Sequence, residues 1–142
     1  MFMDIDLNPS EIRKHRSLTL KDIARIANEV SKKYMVGDRV DLLAIAEDEN
    51  IHVVKNSDVP DACKLLSGEH AKIYYFPQAK GRKWIIIYED DNRSLVQRRN
   101  SVAHELGHYF LQHHVEFYEK GPDSKRENQA DLFALALLST NK

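Results

Sequence analysis

Residues 94–111 read SLVQRRNSVAHELGHYFL, and this stretch decides how the rest of the chain folds around it. Asp90, Asp91 and Asn92 form a polar stop before it, and Ser94 with Gln97 matches a capping box. Leu95, Val96, Val102, Ala103, Leu106, Phe110 and Leu111 then recur at helical intervals. On that helix His104 and His108 lie four positions apart, so their rings leave one face about one turn apart. This is the reach needed to hold one zinc ion at about 2.0–2.1 Å from two ring nitrogens. Glu105 sits beside them, where it can take a proton from a metal-activated water. Gly107 costs about 1 kcal/mol relative to alanine in a helix interior. It marks either the close approach of another backbone or substrate, or a single tolerated glycine, and both stay open here.

A zinc site with two histidines needs a third protein ligand and leaves its fourth position to water. Residues 127–138 read ENQADLFALALL, apolar enough for a second, mostly buried helix, with Gly121 and Pro122 breaking the chain before it. Glu127 and Asp131 share a face with Ala134 and Leu138. An acidic pair on an apolar face needs a partner, because an unpaired buried carboxylate is costly. Two readings compete for Glu127. With Ser124 it matches a capping box. As the third ligand it leaves Asp131, one turn on, to accept a hydrogen bond from the outer nitrogen of a zinc histidine. The cap leaves Asp131 unexplained, so the ligand reading is favoured.

HELGH, a short spacer and E-x-x-A-D-x-F-A-x-x-L-L together resemble the ImmA/IrrE-type metallo-endopeptidases, within the wider pattern of HExxH followed by Glu-x-x-x-Asp. A helical segment near Asp22–Lys33, a Val-Asp-Leu-Leu-Ala-Ile-Ala helix and an Ile-His-Val-Val strand extend the likeness to about residues 20–138. The specific part is the two C-terminal motifs. The resemblance implies His104, His108 and Glu127 as zinc ligands, Glu105 as catalytic base, and a helix-turn-helix repressor as the protein substrate. It departs at one point: a proline often follows the Leu-Leu pair in the family, whereas this chain ends Ser139, Thr140, Asn141, Lys142. That leaves open whether a C-terminal segment is missing.

The 142 residues fit one domain, taken as 18–142 after a loosely ordered segment 1–17. With 21 basic and 22 acidic residues the net charge is −1, and no global field draws the chain to nucleic acid or an anionic membrane. One cysteine, Cys63, excludes an internal disulfide framework and fits a reducing, cytoplasmic setting. No apolar run approaches the roughly 20 residues of a membrane span, and the acidic N-terminus is no secretory signal. Oligomeric state is not legible.

Leu18 to about Tyr34 reads as an amphipathic helix and Val40 to Glu47 as a shorter one. Ile51–Val54, Ala71–Phe76 and Lys83–Tyr88 read as strands, the last two joined as a hairpin. The expected fold is α+β: a small, mostly antiparallel three-stranded sheet packed against helices, with the HExxH helix and a following third-ligand helix. Thr19–Ala27 resembles the first helix of a repressor-type helix-turn-helix, but no short turn and basic second helix follow. It is read as a packing helix, with no direct nucleic-acid binding.

His113 and His114, by helical geometry, point away from the His104–His108 face and are read as solvated helix-end residues. His52 and His70 flank the sheet, and His15 lies in the N-terminal segment. Tyr74, Tyr75, Phe76, Trp84 and Tyr88 are read as core and sheet face. The expected activity is zinc-dependent hydrolysis of a peptide bond in a protein partner, with a sheet edge available to align an extended substrate. Tyr74, Tyr75, Tyr88, His52 and Tyr118 are unranked candidates to stabilise the oxyanion. The alternative is a zinc-stabilised interaction module that inactivates a repressor by binding alone.

Overall fold

The structure is a computed structural model that describes residues 18–60, 65–66, 68–113 and 124–139. The expectations for segment 1–17, His15, Cys63, His114, Tyr118, Gly121 and Pro122 fall outside the described residues.

Helix α1 (Leu20–Tyr34) starts at Thr19, whose hydroxyl accepts from the Asp22 amide while the Asp22 carboxylate accepts from the Thr19 amide. Ile23, Ile26, Ala27, Val30 and Tyr34 form its buried stripe, spaced as a helix face requires. Tyr34 leads directly into a short hairpin, β1 (Met35–Val36) and β2 (Arg39–Val40), turned at Gly37 with φ +64°. Val40 is therefore strand rather than the start of the next helix. Helix α2 (Leu42–Asp48) begins instead at Asp41, whose side chain accepts from the Ala44 amide.

The main sheet has β3 (Ile51–Lys55), β4 (Ala71–Tyr75) and β5 (Trp84–Tyr88) in the order β3-β5-β4. β4 and β5 pair antiparallel, Ala71 opposite Tyr88 through Tyr75 opposite Trp84, as the hairpin predicts. β3 pairs with β5 in parallel, Ile51 opposite Trp84 through Lys55 opposite Tyr88. The sheet is thus mixed, which corrects the expectation of a mostly antiparallel one. The reason lies in β5. Its Trp-Ile-Ile-Ile-Tyr run is the most apolar of the three, with Ile86 and Ile87 buried, and it takes the centre with a ladder on each side. With β4 folded back along one edge of β5, β3 takes the other edge, where it lies parallel to β5. Of the aromatic residues expected in the core and on the sheet face, Tyr75 and Phe76 are substantially exposed near the hairpin tip.

Helices α3 (Leu95–Phe110) and α4 (Ser124–Leu138) complete the fold. α3 starts with the capping box that Ser94 and Gln97 suggest. Leu106, Phe110, Phe133 and Leu137 are fully buried, and the Phe110 and Phe133 rings stack with centroids 5.7 Å apart. Gly107 lies in the α3–α4 seam. A Cβ built there would sit 3.1 Å from the Ala130 carbonyl oxygen and 3.2 Å from both Ala130 Cα and Phe133 Cβ. The close-approach reading of Gly107 is therefore the correct one, and the approaching backbone belongs to α4. Among the described residues no helix is long and apolar enough to cross a membrane.

Candidate metal centre

The Gly107 contact lies between two helices that carry the candidate ligands, two on α3 and one on α4. From α3, His104 Nε2 and His108 Nε2 lie 3.2 Å apart. From α4, the Glu127 carboxylate straddles them, Oε1 at 3.0 Å from His104 Nε2 and Oε2 at 3.0 Å from His108 Nε2. Glu127 is thus turned to the histidines, as the ligand reading requires.

The same three residues form the metal-compatible cluster among those described, with ligand atoms all within 4.8 Å of one another. Arms of about 2.0–2.1 Å around a tetrahedral zinc put neighbouring ligand atoms about 3.3 Å apart. The observed 3.0–3.2 Å separations fit that size closely. Donor chemistry agrees. Nδ1 of His104 lies 2.7 Å from Asp131 Oδ1, and an ionised carboxylate only accepts, so the ring hydrogen sits on Nδ1. In the neutral ring Nε2 is then a lone pair facing the Glu127 oxygen. A metal ion between these two acceptors would satisfy both. Asp131 itself stands at the rim, with its side chain 70% exposed.

His108 is buried, and burial, with the nearby His113 and His104 rings, pushes its pKa down to about 3. It is therefore neutral at physiological pH, the form that ligates. Glu105 is also buried, and points to the sheet, where its carboxylate accepts from the Ile73 backbone amide. Burial first, and the Glu127 charge second, push its pKa up to about 8. A divalent cation at the three ligands opposes that rise by offsetting the Glu127 charge. A carboxylate whose proton affinity lies near neutrality is suited to taking a proton and giving it back.

These groups line a cleft of about 470 Å³ whose walls are α3, α4 and β4. Among the described residues β4 pairs with β5 on one side only, and its other edge borders the cleft. His70, just before β4, lines the cleft and sits 3.0 Å from Glu89. The sheet-side candidates for oxyanion stabilisation lie elsewhere. Tyr74 donates to the Leu65 carbonyl, and Tyr75 packs on Trp84 with the rings tilted and their centroids 4.4 Å apart. His52 and Tyr88 are not among the cleft residues.

His113 overturns the expectation of a solvated helix-end residue. The helix does not continue to it. Gln112 adopts the left-handed conformation, φ 58°, and the His113 amide donates to the His108 carbonyl while the Gln112 amide donates to the Tyr109 carbonyl. This is a Schellman end with glutamine where glycine is usual. It folds His113 back under α3, where its Nδ1 lies 2.8 Å from His108 Nδ1. Ideal helical geometry cannot foretell this, because a non-glycine residue with positive φ leaves little local signal.

The chain matches, over residues 46–140, a family described as Peptidase_M78, IrrE N-terminal-like domain. It is also similar to the metallopeptidase ImmA of Bacillus subtilis, 32% identical over 103 residues that cover 69% of this chain and 53% of the relative. The chain thus spans about half the length of that relative.

Proposed function

The chain belongs to the IrrE N-terminal-like peptidase family, and on that premise we propose that it is a zinc-dependent endopeptidase that cuts a protein partner. The observation that carries this reading is Glu127. It reaches across from α4 to put one carboxylate oxygen 3.0 Å from each histidine Nε2.

His104, His108 and Glu127 would hold the ion, a set of three protein ligands that suits a catalytic rather than a closed structural site. When bound, the ion supplies Lewis acidity, polarising a carbonyl and making water acidic near neutral pH. The rest falls to the chain's own residues. Asp131 orients the His104 ring through Nδ1. Glu105 takes the proton of the attacking water and passes it to the leaving amide nitrogen. The edge of β4 that pairs with no strand among the described residues offers backbone groups to an extended segment, so the substrate is an exposed linker that lies along that edge. A His₂-carboxylate set with an open position suits zinc, and geometry and supply decide between zinc and another divalent ion.

The proposed partner is a helix-turn-helix repressor, cut in regulatory proteolysis in the cytoplasm. Incubating such a repressor, encoded beside this gene, with the protein and measuring intact mass tests this. Zinc-dependent fragments support the peptidase. Derepression without fragments points instead to a module that acts by binding.

The ligand assignment has its own test. Glu127→Ala is expected to weaken zinc binding by more than about 100-fold, since the partners behind metal ligands alone account for about 10–100-fold. Ser124→Ala is expected to leave zinc content unchanged. Zinc lost with Ser124→Ala but kept with Glu127→Ala would return Glu127 to a capping role.

A further inference from the structure

His113 is buried, and its ring is held at both ends. Nδ1 lies 2.8 Å from His108 Nδ1, and Nε2 lies 2.9 Å from Oε1 of Gln129 on α4. Gln129 is buried as well. Resting on the metallopeptidase reading, we propose that His113, backed by Gln129, is a positioning residue that fixes His108 in the tautomer whose Nε2 lone pair faces the metal.

The proton positions follow from what each atom can do. An amide oxygen only accepts, so His113 Nε2 carries the hydrogen in its bond to Gln129. A neutral imidazole has one N–H, so His113 Nδ1 is a lone pair. The hydrogen between the two rings therefore belongs to His108 Nδ1. His108 Nε2 is left bare, 3.0 Å from Glu127 Oε2 and 3.2 Å from His104 Nε2. The reverse chain, with the His113 hydrogen on Nδ1, would put the His108 hydrogen on Nε2 and block ligation.

The two ligand histidines are thus oriented by different chemistry. His104 leans on an exposed carboxylate, Asp131, and His108 on a buried neutral ring. A neutral acceptor keeps His108 oriented without burying another charge beside Glu105 and Glu127. The left-handed Gln112 is what makes this possible, by turning His113 back beneath its own helix.

Two measurements test the assignment. Long-range proton–nitrogen NMR on the wild type reads each histidine tautomer with and without zinc. His113 is expected with its hydrogen on Nε2 in both states, and His108 with its hydrogen on Nδ1. Zinc affinity, by competition with a chromophoric chelator, is then compared between the wild type, His113→Leu and His113→Gln. His113→Leu is expected to bind zinc about 10–100-fold more weakly. His113→Gln recovers most of that loss, because its amide oxygen accepts from His108 while its amide nitrogen donates to Gln129. A His113 hydrogen on Nδ1, or wild-type affinity in a folded His113→Leu, overturns the assignment. If His113→Leu does not fold, the wild-type tautomer decides. A wild type that takes up no zinc rejects the metallopeptidase reading itself, an outcome distinct from zinc uptake that is indifferent to His113.

Discussion

Glu105→Gln is expected to cut peptide hydrolysis by about 10²–10⁴-fold, the usual contribution of a positioned acid–base group, while zinc content stays at the wild-type level. Glutamine has nearly the same shape, and its amide oxygen can still accept from the Ile73 amide that Glu105 now engages. What it lacks is a carboxylate able to take a proton. Glu105 is not among the three residues of α3 and α4 placed to hold a metal, so its replacement leaves the proposed ligands intact. The fold is kept as well, because the replaced carboxylate is buried beside the Glu127 charge and desolvation is lighter for an amide. Intact-mass kinetics on the repressor, with zinc content measured on the same preparation, separate the two effects. Unchanged cleavage removes Glu105 from the mechanism. Cleavage lost together with zinc makes it a structural support of the site.

Gly107→Val has the second large effect, and it reaches the site through packing. The space where a Cβ would stand is already bounded at 3.1–3.2 Å by the Ala130 backbone and Phe133 Cβ. None of these is the flexible end of a side chain, so α4 must move as a body. Valine adds two more methyl groups in the same gap, and overpacking of this kind costs about 1–3 kcal/mol. For a chain of this size that is a fall of roughly 3–10 °C in Tm. Because α4 carries Glu127, the displacement also pulls one ligand from the other two. Zinc affinity is expected to fall together with Tm, although residue 107 touches no ligand on α4. Thermal melts with and without zinc check both. Wild-type Tm and affinity would mean the seam is looser than the 3.1 Å contact implies.

The two site helices were readable because local chemistry and long-range need point the same way there. Ser94 and Gln97 cap α3, its apolar residues face the core, and the spacing of His104 and His108 needs only helical geometry. Glu127 and Asp131 drew notice because acidic groups on an apolar helix demand a partner, and both lie beside the histidines of α3. Gly107 could be flagged but not resolved, since the reason for it is the Ala130 backbone on another helix. Strand pairing was less legible. The residues of β3 favour a strand without saying which strand they pair with or in which direction. His113 was misread for a sharper reason. One residue with positive φ, Gln112, reverses the direction of everything after it, and glutamine carries no sign of it. The interior of the site is therefore clearer from sequence than the parts that support it.

The account stands or falls on α3 and α4 together making one metal centre. X-ray absorption at the zinc edge, on protein loaded to constant stoichiometry, tests this most directly. The predicted result is one zinc per chain, with two imidazole nitrogens at about 2.0–2.1 Å, oxygen from Glu127 at about 2.0–2.2 Å and one further oxygen from water. A sulfur ligand at about 2.3 Å, or an unchanged shell after Glu127→Ala, would contradict it.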